Sequence, residues 1–280
     1  MKRLSLLLFL VTLLFSSCKK DPLILPAQFE VAATYLHLAH TRTDTNPYMD
    51  SIVEVIDYSK FDMLWLGGDL AWYTSEDDAT INHVDSIFDL SSENTLWALG
   101  NHDYFDTDRI EFTTKRPPFY AYYKNGITFL VLDTQDSLSN ITTEQLLLLS
   151  TIKDTIQFSS HLIVLHHKII WMYGNTTLAP SIDSVSNGPS GNCDYCLNPN
   201  NFYDDVYPQL LEINNKGVEV LCVAGDIGGK VDEFKHTTAE GIIFLASGID
   251  SGTKHDKALL FKHDIGSRSL TWEYRKISSF

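Results

Sequence analysis

Leu96-Trp97-Ala98-Leu99-Gly100-Asn101-His102-Asp103 is the stretch on which the reading of this chain turns. A short apolar run stops at a glycine, and three side chains that can donate, accept or move protons follow it. Apolar runs of this length bounded by glycine predict buried strands. In sheets built from strands and helices, ligands and chemistry collect in the loops at strand ends. The same grammar recurs to either side. Upstream, Val31 to Leu38 runs into Ala39-His40-Thr41-Arg42, and Phe61 to Leu66 runs into Gly67-Gly68-Asp69. Downstream, His161 to Leu165 runs into His166-His167, and Val218 to Ala224 into Gly225-Asp226. Taken in order, the strand ends carry His, Asp, Asn, His and Asp, the oxygen and nitrogen donors of a metal site. Singly, each has a plainer reading. Asp69 could cap a helix, Asn101 and Asp103 could close turns, and His166 could be a satisfied core histidine. The ordered set is what argues for a site.

Between these strands the pattern is helical. Apolar spacing predicts helices over Tyr48 to Tyr58, Ala79 to Leu90 and Asp204 to Asn214, and Thr142-x-x-Gln145 reads as a capping box ahead of a Leu-rich helix reaching about Ile152. Asn125-Gly126 predicts a hairpin turn between Phe119 to Tyr123 and Ile127 to Leu132. Residues 231 to 275 read as short strands. The segment from about 169 to 203 is long, polar and aromatic; a loop of that length in a compact domain is usually functional, and it is expected to set the substrate. Trp72, Tyr73, Tyr104, Trp171, Tyr173 and Tyr195, in or near these loops, either wall a pocket or pack loops. No linker divides the chain, so a single domain is expected over 31–280, preceded by a tether over 19–30.

The first residues carry a different signal. Met1-Lys2-Arg3 is basic, Leu4 to Phe15 is apolar but too short to span a bilayer, and Ser16-Ser17-Cys18 follows. This resembles a bacterial lipoprotein signal peptide over 1–18 with Cys18 as the lipidated residue, and Lys19-Lys20-Asp21 resembles a surface-export signal. The expectation is an exported protein anchored to the outer membrane or cell surface, with a periplasmic location as the alternative; membrane contact is through the lipid anchor only. Cys193-x-x-Cys196 reads as a local disulfide in such a compartment, with zinc or redox roles less supported, and Cys222 as a core thiol. The net charge of −15 excludes a general attraction to nucleic acid.

The ordered blocks resemble the calcineurin-like metallophosphoesterases, whose motif order is D-x-H, G-D-x-x-[DN], G-N-H-[DE], an H in an apolar-H-H context, and G-H-x-H. The resemblance runs from about Leu36 to Gly228. It implies an α/β fold, a two-sheet β-sandwich flanked by helices in four αββα layers. Gly68-Asp69, Gly100-Asn101-His102-Asp103 and Leu165-His166-His167 match; Leu70-Ala71-Trp72 lacks the polar end of its block. The first and last blocks depart, with His40 and Arg42 where the family has Asp and His, and Asp226 and Gly228 where it has two His. By resemblance, one metal position keeps only Asp69 with His40, since Arg42 stays protonated and Gly228 has no side chain. The other keeps Asp69, Asn101, His166 and Asp226. The implied site is one divalent transition metal (Mn, Fe or Zn) beside Arg42, with His40 as a ligand or a donor to one. His102 is then the acid, oriented by Asp103, and Arg42 the phosphate clamp. The implied activity is hydrolysis of phosphate mono- or diesters outside the cytoplasm, on a phosphorylated small molecule, glycan or lipid. The alternative is an inactive descendant that binds a ligand or partner at the cell surface.

Overall fold

Strands buried on both faces must be apolar throughout, and those covered on one face alternate; the chain uses both devices to build two sheets face to face. In the computed structural model, which describes residues 32–191, 193, 195–250 and 256–280, the elements run β1 (Ala32–Leu38), β2 (Met63–Leu66), α1 (Asp78–Phe88), β3 (Thr95–Trp97), α2 (Thr107–Thr114), β4 (Tyr120–Lys124), β5 (Ile127–Val131), α3 (Thr143–Thr155), β6 (His161–His166), α4 (Ile182–Val185), α5 (Tyr207–Asn214), β7 (Glu219–Ala224), β8 (Glu233–Thr237), β9 (Ile243–Ser247), β10 (Lys257–Asp264) and β11 (Ser269–Lys276). One sheet has the order β11-β10-β1-β2-β3, the other β4-β5-β6-β7-β9-β8. β1, β2 and β3 are parallel, as are β5, β6, β7 and β9. The leader, Cys18, the tether and Val31 lie outside the described residues.

Three apolar layers follow from strand alternation. Between the sheets, Tyr35, Trp65, Phe129 and Phe261 pack with Leu165 and Val223. Trp65 is the hinge of this layer, its ring 4.4 Å from Phe261 and 5.2 Å from Phe129. Burying each such ring is worth about 1.5–3 kcal/mol. Outside the first sheet, Leu36, Leu64 and Leu66 meet Ile81, Val84 and Phe88 of α1 and Ile110 of α2. Outside the second, Val164, Val220 and Cys222 meet Leu149 and Ile152 of α3 and Leu210 and Ile213 of α5. These are the four αββα layers expected of the chain.

Several local expectations change. Tyr48 to Tyr58 forms no α-helix, only short 3-10 turns at Val53–Val55 and Tyr58–Lys60. Side chains intercept the backbone there: Met49 N donates to Glu54 Oε1 at 2.8 Å and Ile52 N to Asp50 Oδ1 at 2.9 Å, and such local bonds compete with a helix. The Thr142 capping box is absent. Gln145 instead accepts from Asp133 N at 2.9 Å and donates to Asp133 O at 3.0 Å, tying α3 to the end of β5. Helix α2 is unforeseen, because Thr107-Asp-Arg-Ile-Glu-Phe-Thr-Thr114 is polar; its signal is Asp106, whose Oδ1 accepts from Arg109 N at 3.0 Å as an N-cap. The stretch foreseen as helix from Asp204 opens with a π turn over Phe202–Val206 before α5. Cys193 and Cys196 are disulfide-bonded, and Cys222 is a buried free thiol.

Candidate active site

Parallel strands point their C-terminal ends one way, so the loops after β1, β2, β3, β6, β7 and β9 gather at one edge of the sandwich. Cross-sheet bonds lock them together. Ile249 N donates to Ala39 O at 3.1 Å and His167 Nδ1 to Gly67 O at 2.7 Å, while within the second sheet Gly225 N donates to His167 O at 3.1 Å. The polypeptide turns sharply at Gly68 (φ +93°) and Asp69 (φ 57°). A Cβ on Gly68 would stand 2.5 Å from Gly100 N and 2.6 Å from His167 Nδ1, so only glycine lets these three loops meet.

A cavity of about 240 Å³ opens at this edge. His40, Arg42, Asp69, Asn101, His102 and Asp226 line it, together with Tyr73, Asn187, Gly188 and Tyr195. Asp69 is its centre. Its carboxyl is buried, its Oδ1 accepts from His102 N at 3.0 Å, and its Oδ2 lies 3.5 Å from Arg42 Nε and 3.7 Å from His40 Nε2. Burial opposes ionisation, yet His167, His40 and the His102 amide together hold this carboxyl low, at about 2. His40 donates from Nδ1 to Ile249 O at 2.9 Å, which leaves Nε2 as an acceptor, and Arg42 Nη2 lies 3.4 Å from it. Burial pushes the His40 imidazole down to about 4, so it is neutral near pH 7.

One expected ligand is misplaced. His166 Nδ1 donates to Lys168 O at 2.6 Å, and its ring packs edge-on against Trp171 at 4.7 Å, on the helix side of the second sheet. His167 stands at the site instead. Its Nε2 is 3.6 Å from Asp69 Oδ1 and 3.9 Å from Asp226 Oδ1. The cause is strand alternation: Leu162, Val164 and His166 share one face of β6, while Ile163, Leu165 and then His167 share the other, which faces the first sheet. Once Val164 is seen to face the helices, alternation along β6 separates the two imidazoles.

Asp103 also differs from expectation. It does not touch the His102 ring. Its carboxylate accepts from Asp69 N (2.7 Å), Leu70 N (3.0 Å), Gly100 N (2.8 Å), Thr74 Oγ1 (2.5 Å) and Trp97 Nε1 (3.3 Å). Asp103 therefore holds the turn that carries Asp69, while burial and the Asp69 charge push its own carboxyl up. The His102 ring is oriented by Trp72 O, which accepts from its Nδ1 at 2.6 Å. A carbonyl can only accept, so Nδ1 bears the proton and Nε2 is left to act.

Asp226 is tied in from the long segment. Asn187 N donates to Asp226 O at 3.2 Å, and Ser186 Oγ to its Oδ2 at 3.3 Å. Burial, reinforced by the charge of Asp69, pushes the Asp226 carboxyl up to about 6. The excursion after β6 thus closes over the last motif block and adds Asn187, Gly188 and Tyr195 to the cavity wall. Gly188 is tight against it: a Cβ there would lie 2.2 Å from Tyr195 O.

Whether these side chains suit a metal ion is tested by His167. Its Nδ1 donates to Gly67 O at 2.7 Å, so in the neutral ring Nε2 is a lone pair, buried, without a hydrogen-bond partner, facing two carboxylates. With that lone pair and the facing Asp69 Oδ1 and Asp226 Oδ1, the space between them is lined by acceptors, an arrangement that suits a cation. Among the described residues, no group of three or more His, Cys, Asp or Glu side chains is placed so that it could hold a metal ion. By donor chemistry, Asp69, His167, Asp226 and Asn101 suit one ion. Arg42 lines the same cavity, its Nε 3.5 Å from Asp69 Oδ2.

Residues 36–188 match the calcineurin-like phosphoesterase family. Among solved structures, a dimetal phosphatase from Danio rerio superposes with a TM-score of 0.54 at 13% identity, over 88% of this chain and 96% of that one. A 5'-nucleotidase precursor from Thermus thermophilus gives a TM-score of 0.44 at 13% identity, over 88% of this chain and 54% of that one. No curated protein matches the chain in sequence. The family match begins on the strand that delivers His40 and ends in the loop that closes over Asp226, and on it the chain belongs to the calcineurin-like phosphoesterase family.

Proposed function

We propose that this chain is a metal-dependent hydrolase of phosphate esters that works with one divalent ion and Arg42 in place of the family's usual pair. The observation that carries it is the bare His167 Nε2 between two carboxylates, 3.6 and 3.9 Å away, with a guanidinium next to Asp69. Asp69, Asn101, His167 and Asp226 would hold the ion, which when bound supplies Lewis-acid charge and acidifies a water. Mixed carboxylate, amide and imidazole donors suit Mn, Fe or Zn. Arg42 binds phosphoryl oxygens through its planar fork. With both ring nitrogens protonated, His102 would donate from Nε2 to the leaving oxygen or to a phosphoryl oxygen while Nδ1 stays bonded to Trp72 O. Tyr73 and Tyr195 flank the entrance and accept the ester group. Export on a lipid anchor would place this chemistry outside the cytoplasm, with a phosphorylated small molecule, glycan or lipid as substrate.

The test is an assay on an aryl phosphate and an aryl phosphodiester with added Mn, Fe or Zn. Turnover that disappears in His102→Ala supports the hydrolase. A second reading, anion binding without turnover, is favoured by the contact of Arg42 with Asp69; it predicts phosphate binding and no hydrolysis with any of these ions.

The ion requirement has a pH signature. Asp226 must lose its proton to bind, and its carboxyl titrates at about 6. Affinity for Mn is expected to fall about tenfold per pH unit below that value. In ion-free protein the sign reverses: the folded carboxyl holds its proton above the ordinary 3.8, so this contribution to stability is lost as pH rises from about 4 through 6. Thermal unfolding at pH 5 and 7, with and without Mn, should show the larger stabilisation by the ion at pH 7. Equal stabilisation at both would remove Asp226 from the ligand set.

A further inference from the structure

Trp72 occupies the end of the second motif block, where the family pattern carries Asp or Asn. Three contacts meet on this residue. The Arg42 guanidinium sits 4.8 Å above its ring. The His102 ring lies 5.0 Å from the indole at 48°. The Trp72 carbonyl accepts from His102 Nδ1 at 2.6 Å. Tyr73 completes the frame, stacked with His102 at 5.9 Å and 20°.

From this we infer that Trp72 is a positioning residue that sets Arg42 and His102 as one coupled unit around the phosphate-binding cavity. What the pair does there rests on the hydrolase reading above; that Trp72 fixes the pair does not.

Arg42 and His102 lack firm partners elsewhere. Arg42 Nε is buried without a hydrogen bond, 3.5 Å from Asp69 Oδ2, and Nη2 reaches His40 Nε2 only at 3.4 Å. Those contacts are too long to confine a side chain with this much rotamer freedom. The indole face supplies the confinement, and a guanidinium on Trp is the favoured cation–π pairing. His102 has no carboxylate behind it, because Asp103 is committed to the Asp69 turn. Its tautomer rests on the Trp72 carbonyl, and its ring plane on the Trp72 and Tyr73 rings. The backbone of Trp72 is itself fixed from both sides: Ala71 N donates to Thr74 Oγ1 at 3.0 Å, and Thr74 N to His102 O at 2.9 Å. A side chain that packs against both the guanidinium and the imidazole couples their positions through one aromatic face.

The test is a double-mutant cycle read by calorimetric titration of inorganic phosphate into the full chain with Mn present. Trp72→Leu is expected to weaken binding about 10-fold, Trp72→Phe to restore most of it, and Arg42→Ala to add little once Trp72→Leu is in place. Additive losses, or a Phe variant as weak as Leu, would overturn the proposal. A second readout needs no ligand. In proton–nitrogen NMR of the unmodified protein, the Arg42 Nε–H signal should carry an indole ring-current shift and the His102 Nδ1–H signal should be sharp. Trp72→Leu should abolish the first and broaden the second. Spectra unchanged by Trp72→Leu overturn the inference. If the protein binds no phosphate, the site reading fails and the spectra alone decide the role of Trp72.

Discussion

His167→Ala is expected to abolish ion binding and to lower turnover on the order of 10³-fold, the several kcal/mol that Lewis-acid charge contributes to a phosphoryl transition state. His166→Ala, one residue earlier, is expected to leave specific activity near that of the parent. It should cost about 2–4 kcal/mol of stability instead, because the ring fills space against Trp171. The pair is a sharp discriminator, since sequence context alone does not separate the two imidazoles. Elemental analysis and an aryl phosphate assay on both variants read it. An ion retained in His167→Ala but lost in His166→Ala would invert the assignment.

The reason the two residues are distinguishable in the fold and not by motif lies in the sheet. A strand's period is two, so a shift of one residue moves a side chain to the opposite face. The sequence shows the apolar run and the polar pair that ends it. Which of the pair faces the first sheet depends on the register of β6 between β5 and β7, a tertiary fact. The strand ends at Asp69, Asn101 and Asp226 were legible because each follows glycine, a pair before Asp69 and one before each of the other two. Arg42 was legible by chemistry, as a cation where a neutral donor is expected. Tyr48 to Tyr58 misled because Met49, Val53 and Ile56 bury at helical spacing, while Asp50 and Glu54 satisfy the backbone by another route. Gln145 misled in the opposite sense: the capping pattern is present, but its amide is used across the fold on Asp133.

Asp103→Ala is the second large effect. The substitution orphans the Asp69, Leu70 and Gly100 amides, the Thr74 hydroxyl and the Trp97 indole N–H at once. Each unsatisfied buried donor costs about 1–3 kcal/mol before relaxation. Relaxation and non-additivity bring the expected loss to roughly 3–5 kcal/mol. Function should fall with it, because Asp69 sits at φ 57°, a conformation the chain holds only under constraint. Asp103→Asn is a finer probe. Its carbonyl can still serve one side, but its amide would face donors on the other: Oδ2 accepts from three N–H groups and Oδ1 from two donors. Urea unfolding of both variants reads the effect. An Asp103→Ala variant within about 1 kcal/mol of the parent, and fully active, would show that the turn stands without its carboxylate.

Chemically, the departures from the family pattern fall together. By the family pattern, His40, Arg42 and Gly228 fall at one metal position, while under the proposed reading Asp69, Asn101, His167 and Asp226 would hold the other. A guanidinium can neutralise phosphoryl oxygens and align them, but it cannot acidify a water. Under the proposed reading a single ion would supply that acidity, and Asp226 in place of an imidazole would add negative charge that holds a cation more tightly.

The most direct measurement is the metal content of the purified full-length chain, loaded with Mn, Fe or Zn and freed of excess. Close to one equivalent per chain is expected, falling to near zero in His167→Ala. Two equivalents, or one that survives the loss of His167, would contradict it.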